Sequence, residues 1–157
     1  MKIRGIIDED FVNYKLPSMV IEMPYCDFKC DKECGRQICQ NNSLIHEPII
    51  DINDDLLIQR YLDNIISEAL VFQGLEPLDS IEELMPFIEK FRAKSNDDIV
   101  IYTGYKEDEM LTVTLLLSSF KNIIIKYGRF RPNEEKHFDK TLGIYLASNN
   151  QYAKKIS

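Results

Sequence analysis

All four cysteines of this 157-residue chain lie within one short stretch, at positions 26, 30, 34 and 39. Thiolates are soft ligands, so a group this dense favours zinc, copper(I) or an iron–sulfur cluster over hard cations. The stretch directly follows an apolar run, Met19 to Met23, that predicts a β-strand. Parallel α/β folds place their ligands at the ends of strands. The cysteines therefore predict a metal-binding loop, residues 24–43, around which the rest of the chain must fold.

The remainder of the chain alternates short apolar runs with amphipathic segments. The pattern predicts strands at 19–23, 69–73, 99–102, 122–127 and near 143–146, and helices at 53–68, 79–94 and 107–118. Strands that alternate with helices imply right-handed βαβ units and a largely parallel sheet. We therefore expect one α/β domain over residues 1–157. Asn53 is expected to cap the first of these helices, residues 8–10 to form a turn or an exposed link, and the cysteine loop to lack regular structure.

The composition and net charge of the chain limit the kinds of partner that it is expected to bind. The chain is 45% apolar and 29% charged, as in ordinary soluble proteins. Its net charge of −7 argues against a nucleic-acid partner, because phosphate contacts need clustered Lys and Arg. No apolar run approaches the ~20 residues of a membrane span, and the N-terminus lacks the apolar core of a signal peptide. We expect a cytoplasmic protein, without nucleic-acid or membrane partners, whose thiols stay reduced and serve a metal or catalysis.

The spacing of the cysteines, taken alone, leaves the metal open. It reads Cys-x3-Cys-x3-Cys-x4-Cys. Structural zinc sites usually show two close pairs separated by a longer gap, and bacterial ferredoxins use two-residue gaps and end in Cys-Pro. Neither pattern fits, so zinc and an iron–sulfur cluster are equal alternatives on this ground.

A resemblance emerges when the loop is joined to later stretches. Residues 26–30, Cys-Asp-Phe-Lys-Cys, resemble the opening of the radical S-adenosylmethionine signature Cys-x3-Cys-x2-Cys. Residues 38–41, Ile-Cys-Gln-Asn, resemble the close of that signature in anaerobic ribonucleotide reductase activating proteins. Residues 74–78, Gly-Leu-Glu-Pro-Leu, resemble the Gly-Gly-Glu-Pro-Leu that in this superfamily meets the amino group of S-adenosylmethionine.

Three further motifs follow in the order of the same activase family. Residues 102–105 match its Tyr-Thr-Gly-Tyr, while residues 127–130 and 147–151 resemble its Asp-Gly-x-Phe and Gly-Ser-x-Asn-Gln. The resemblance covers nearly the whole chain. It implies a small partial (βα) barrel with a mostly parallel sheet flanked by helices. It also implies a 4Fe–4S cluster, held by three thiolates, that reductively cleaves S-adenosylmethionine and so generates a glycyl radical on a partner enzyme.

The resemblance assigns the site residues one by one. The cluster ligands would be Cys26, Cys30 and Cys39, with Cys34 as an alternative third or an extra ligand, because the gap before the third cysteine is longer than in the family. The residues expected to bind the cofactors are Phe28, Ile38, Asn41, Gly74, Glu76, Pro77, Thr103 and Tyr105. No catalytic side chain is expected beyond the cluster. A second departure is Leu75, which replaces a glycine of the family motif.

The same resemblance implies two protein partners. One is a glycyl radical enzyme, most specifically anaerobic ribonucleoside-triphosphate reductase, and the other is an electron donor such as flavodoxin or ferredoxin. Two alternatives stay open. The chain could be another small radical S-adenosylmethionine enzyme that modifies a peptide or small substrate, or a non-catalytic module in which four cysteines bind a metal.

Overall fold

A computed structural model describes all residues, 1–157. Its strands are β1 Lys2–Ile3, β2 Gly5–Asp10, β3 Ser18–Met23, β4 Ile50–Asp51, β5 Ala69–Gly74, β6 Asp98–Tyr102, β7 Ile123–Tyr127, β8 His137–Asp139, β9 Ile144–Leu146 and β10 Tyr152–Lys155. Its helices are α1 Lys29–Cys34, α2 Asp54–Asp63, α3 Ile81–Arg92 and α4 Leu111–Leu117, and short 3-10 turns lie at Asn42–His46, Pro77–Ser80 and Glu107–Met110. None of these helices combines the length and apolarity needed to cross a membrane.

The centre of the fold is a six-stranded sheet with the order β10-β7-β6-β5-β3-β2. Its four inner strands, β3, β5, β6 and β7, are mutually parallel and lie in chain order, while β2 and β10 pair antiparallel at the two edges. Two antiparallel pairs, β1 with β4 and β8 with β9, lie outside this sheet. The predicted α/β class with a largely parallel sheet is thus confirmed.

The larger helices pack on one face of the sheet. Parallel neighbours in chain order, joined by right-handed crossovers, place successive helices on the same side. The core on this face joins residues of α2, α3 and α4 to alternate strand residues such as Ile21, Phe72 and Ile101, all fully buried. The opposite face is covered only in part, by a smaller apolar cluster that includes Tyr14 and Leu146. This second face therefore has room for a ligand.

Helix α2 starts as predicted and ends early. The Asn53 side chain accepts hydrogen bonds from the N–H groups of Asp55 and Leu56, which confirms the cap. The predicted end at residue 68 is wrong, because α2 stops at Asp63. There the Asn64 side chain accepts the N–H groups of Ile66 and Ser67 and so closes a turn instead.

Three other predictions differ from the structure. Residues 8–10 are neither a turn nor an exposed link: they belong to β2, an edge strand in which Glu9 is exposed while Asp10 is buried and accepts two backbone N–H groups. The cysteine loop is not without regular structure, since it contains α1, which ends at Gly35 in the left-handed conformation. The C-terminal part has three short strands, β8, β9 and β10, where the sequence predicted one.

The pairing of β3 with β5 sets the position of the cysteine loop. The two strands are in register over six residue pairs, from Ser18 with Ala69 to Met23 with Gly74. At its end Gly74 has φ +95, and a Cβ there would lie 3.1 Å from the Glu22 Cα. Glycine is therefore needed both for this conformation and for the close approach of the two strands.

We expect Gly74→Ala to cost more stability than Gly35→Ala. Gly35 also has a positive φ, +65, but a Cβ there would meet nothing within 4 Å. The change at Gly35 should lower the free energy of unfolding by about 1 kcal/mol, from backbone strain alone. The change at Gly74 should cost roughly 2–3 kcal/mol more, because it adds overlap with the neighbouring strand. Urea unfolding of the metal-free proteins measures both, and equal losses would contradict a tight approach at Gly74.

Candidate metal centre

A pocket of ≈ 330 Å³ opens on the partly covered face, at the carboxyl ends of the parallel strands. Every motif quoted from the sequence contributes to its wall. The lining includes Cys26, Cys30, Cys39, Asn41, Gly74, Glu76, Thr103, Gly104, Gly128, Phe130, Ala147 and Gln151. Stretches that lie up to 125 residues apart in the chain, from position 26 to position 151, therefore meet at one site.

Three of the four cysteines line the pocket, and the fourth lies outside it. Cys26, Cys30 and Cys39 are half-buried and line the pocket, whereas Cys34 is exposed and lies outside it. Cys34 stands at the last position of α1, while Cys39 follows the helix on a segment that returns to the pocket. That return is held by Asp31, whose carboxylate accepts the N–H groups of Ile38 and Cys39 at 2.8 Å each. The geometry thus places Cys39, rather than Cys34, with the first two cysteines.

Backbone N–H groups act on all three pocket sulfurs. Phe28 donates a hydrogen bond to the Cys26 sulfur at 3.2 Å, and the N–H groups of Phe130 and Asn41 act to lower the pKa of Cys30 and of Cys39. Hydrogen bonds to cysteine sulfur stabilise the thiolate and are one of the determinants of the potential of an iron–sulfur cluster. Phe28 provides its donor from a left-handed backbone conformation, φ 54, just before α1.

Burial makes the metal-free thiols weak acids. It raises the pKa of Cys26 to about 12, and it also raises the pKa of Cys30 and of Cys39. The charge on Cys39 raises the pKa of the other two further. A metal bound here would therefore displace protons from all three sulfurs. Three cysteines that line one pocket, with the fourth cysteine outside it, suit an iron–sulfur cluster with one iron left open, and they fit a closed four-cysteine zinc site less well.

Glu76 is a buried carboxylic acid on the pocket wall. Its oxygens accept the N–H groups of Leu78, at 3.1 Å, and of Gly104, at 2.8 Å, and the Thr103 side chain also acts to lower its pKa. Burial raises the pKa of Glu76 to about 7, although these hydrogen bonds act in the opposite direction. Glu76, predicted as a site residue, is therefore joined to Gly104, the residue that follows the predicted Thr103.

The segment after β5 accommodates the leucine that departs from the family motif. Only Gly74 needs a positive φ here, and Leu75 lies outside that region of backbone conformation. The Leu75 side chain is buried and lines the pocket. The Asn41 amide donates a hydrogen bond to the Gly74 carbonyl at 2.8 Å, which ties the end of the cysteine loop to this segment. A side chain at position 75 therefore disturbs neither contact.

Four of the predicted cofactor-binding residues lie outside the main pocket. Phe28 and Ile38 contribute backbone N–H groups beside the thiols, as described, and Pro77 starts the 3-10 turn before α3. Tyr105 lies in a small neighbouring cleft with Cys26 and Cys30, and its hydroxyl donates to the Asp79 carboxylate at 2.6 Å. None of these four residues lines the main pocket, although Tyr105 shares its cleft with two of the pocket cysteines.

Two basic residues of the site were not predicted. Lys126 lies buried on the pocket wall, and the sequence signal was a lysine within a run of isoleucines, since lysine is almost never buried without a function or a partner. Arg129 is also buried: it binds the Glu109 carboxylate through two hydrogen bonds of 2.7 and 2.8 Å, and its Nε lies 3.2 Å from a Glu33 oxygen. Arg129 thus fastens α1 to the turn before α4, which no local sequence pattern indicates.

The raised pKa of the buried Glu76 carboxyl predicts that the free energy of unfolding depends on pH. The native pKa of Glu76, about 7, lies above its ordinary value of 4.5, so between these values the native state binds more protons than the unfolded state. Wild-type stability should fall as pH rises through this window, by up to about 3 kcal/mol from this group. Glu76→Gln should remove that fall, whatever its cost in absolute stability.

Urea unfolding of the metal-free proteins from pH 4 to 8 measures this difference in slope. Asp8→Asn is the control: because Arg60 lowers the pKa of Asp8 from 3.8, the stability that this pair adds is already present at pH 4, and the profile of the variant should run parallel to that of the wild type. Parallel profiles for the wild type and Glu76→Gln would show that Glu76 stays ionised in the native protein.

Comparison with known proteins agrees with the geometry of the cysteines. A family model described as a 4Fe–4S single cluster domain matches residues 19–152, from β3 to the start of β10. No curated protein and no solved structure matched the chain. The matched range contains all four cysteines and, except for Ser18, the whole parallel part of the sheet. The predicted iron–sulfur cofactor is thereby confirmed, and the chain belongs to the family of 4Fe–4S single cluster domains.

Proposed function

We propose that this protein is an iron–sulfur oxidoreductase that reductively cleaves S-adenosylmethionine and generates a glycyl radical on a partner enzyme. The observation that carries the proposal is the grouping of Cys26, Cys30 and Cys39 in one pocket with residues 74–76 and 103–104, while Cys34 lies outside. A 4Fe–4S cluster bound by three thiolates supplies an open iron and one electron, which together cleave S-adenosylmethionine to methionine and a 5′-deoxyadenosyl radical. The protein's part is to bind, orient and shield.

The cysteine loop and the strand ends have separate tasks in this proposal. The three thiols bind the iron, and the backbone N–H groups beside them adjust its potential. The Gly74–Glu76 segment and Thr103 provide carbonyl, carboxylate and hydroxyl oxygens on the adjacent wall. These oxygens are hydrogen-bond acceptors suited to the amino group of S-adenosylmethionine. The arrangement supports a site in which the cluster and the ligand lie side by side.

The open sheet supports a partner that approaches from outside. Four parallel strands in chain order, with helices on one face only, form the kind of sheet that a partial (βα) barrel needs, and such a sheet leaves the mouth of the site uncovered. Exposed apolar side chains stand at this mouth: Val12 and Tyr145 line the pocket and are 70% and 71% exposed. Exposed apolar groups beside a site favour a protein partner. We infer that this partner is the glycyl radical enzyme, most specifically anaerobic ribonucleoside-triphosphate reductase, and that flavodoxin or ferredoxin donates the electron.

The decisive experiment measures 5′-deoxyadenosine formed from S-adenosylmethionine by anaerobically reconstituted protein under dithionite. Cys39→Ser and Cys34→Ser form the matched pair. We expect Cys39→Ser to lower the rate about 100-fold or more, because it removes a thiolate from the pocket, and Cys34→Ser to keep most of the rate. The reverse result would show that Cys34 is the third ligand and that the loop is placed wrongly.

Two further readouts separate the alternatives. Co-incubation with an anaerobic ribonucleotide reductase should produce a glycyl radical detectable by electron paramagnetic resonance. Cleavage of S-adenosylmethionine without that signal would point to another small radical S-adenosylmethionine enzyme that modifies a different peptide or substrate. A metal-loaded protein that needs all four cysteines and forms no 5′-deoxyadenosine would leave a non-catalytic metal-binding module.

A further inference from the structure

Lys126 is a buried cation with an incomplete set of partners. It lies on β7 between Ile125 and Tyr127, on the face of the sheet that carries the pocket, and is only 7% exposed. Its Nζ donates one hydrogen bond, to the Gly128 carbonyl at 3.0 Å, and lies 5.8 Å from the centre of the Tyr102 ring. An ammonium group has three N–H donors, and Lys126 forms no ion pair with any carboxylate.

A charge in this environment costs free energy unless an anion offsets it. Burial lowers the pKa of Lys126 to about 8, and only the charged forms of Glu76 and Cys30, which burial disfavours, act against this shift. Neither is in contact with the ammonium group. A buried, unpaired cation is strongly unfavourable in a folded protein. The chain nevertheless has a lysine here, where isoleucines occupy the preceding positions of the strand.

The contents of the pocket can provide the missing negative charge. Lys126 shares the pocket wall with Cys26, Cys30 and Cys39. Three thiolates outweigh the positive charge of an oxidised 4Fe–4S core, so the loaded site is anionic, and it becomes more so when the core gains an electron. Net charge is one of the terms that set the potential of an iron–sulfur cluster. Negative charge beside an ammonium group also favours its protonated form.

We propose that Lys126 is the counter-cation of the cluster, which favours the reduced state and thereby raises the reduction potential. In this step one electron passes from an external one-electron donor to the cluster. No bond at Lys126 forms or breaks, and its ammonium group keeps its proton. The inference rests on membership of the 4Fe–4S family and on the geometry of the pocket. It does not depend on the cleavage of S-adenosylmethionine.

The test compares Lys126→Gln with Lys126→Arg and with a surface control, Lys32→Gln. Glutamine keeps an N–H donor for the Gly128 carbonyl but removes the charge, while arginine keeps the charge. Lys32 lies on α1, and its side chain is 67% exposed, so water and salt screen it. Midpoint potentials are measured by anaerobic titration with dithionite and mediators, followed by electron paramagnetic resonance, on proteins of equal iron and sulfide content and without S-adenosylmethionine.

We expect Lys126→Gln to shift the reduction equilibrium about tenfold toward the oxidised cluster, which is ~59 mV for a one-electron couple. Lys126→Arg and Lys32→Gln should stay close to the wild type. A fully loaded Lys126→Gln protein with the wild-type potential would overturn the proposal. If its potential is unchanged but S-adenosylmethionine no longer alters the cluster signal, Lys126 serves a ligand carboxylate instead, and the proposal is again wrong.

The remaining outcomes concern assembly. If Lys126→Gln folds but takes up no cluster, the lysine is needed for cluster binding, and if the metal-free variant does not fold, its role is structural. Either result overturns the proposal. The proposed function fails separately, because a wild-type protein that forms no 5′-deoxyadenosine still has a measurable midpoint potential.

Discussion

The parallel pairing of β3 with β5 is the constraint on which the site depends. Because the two strands stay in register to their last residues, Met23 beside Gly74, the cysteine loop and the 74–78 segment leave the sheet side by side. The absence of a side chain at Gly74 permits this approach. The Asn41 amide then joins the two segments through the Gly74 carbonyl. A shift of one residue in this register would turn every side chain of the strand to the other face.

The charge states of the groups in the pocket depend on burial more than on ion pairs. Burial favours the neutral forms of the thiols and of Glu76, and it disfavours the charge on Lys126. Such a site suits an added group that carries both metal and sulfur. The positive charge of the metal would offset part of the negative charge of the thiolates, and the net negative charge that remains would stabilise the ammonium group of Lys126. Arg129, by contrast, has its carboxylate partners in place and acts on the position of α1.

The sequence predicted well those elements whose signal is local. The inner strands were identified because they are buried on both faces and therefore read as continuous apolar runs, and the start of α2 was identified from Asn53, whose cap involves only the next three residues. The prediction was wrong where two local sequence signals favoured different structures. Asn64 ends α2 although the apolar spacing continues to Ile66. The acidic residues 8–10 suit a turn, yet β2 accepts them because it is an edge strand.

The sequence by itself determined the chemical groups of the site and their order along the chain, because each motif is a short run of residue types. It also determined that they follow strands, since strand ends are visible in the pattern. Only the tertiary structure decided that Cys39 turns back to the pocket while Cys34 faces solvent, and that Lys126 lies there without a carboxylate partner. These facts depend on the path of a loop and on the register between distant strands. Both are set by packing over the whole chain, which no local run of residues records.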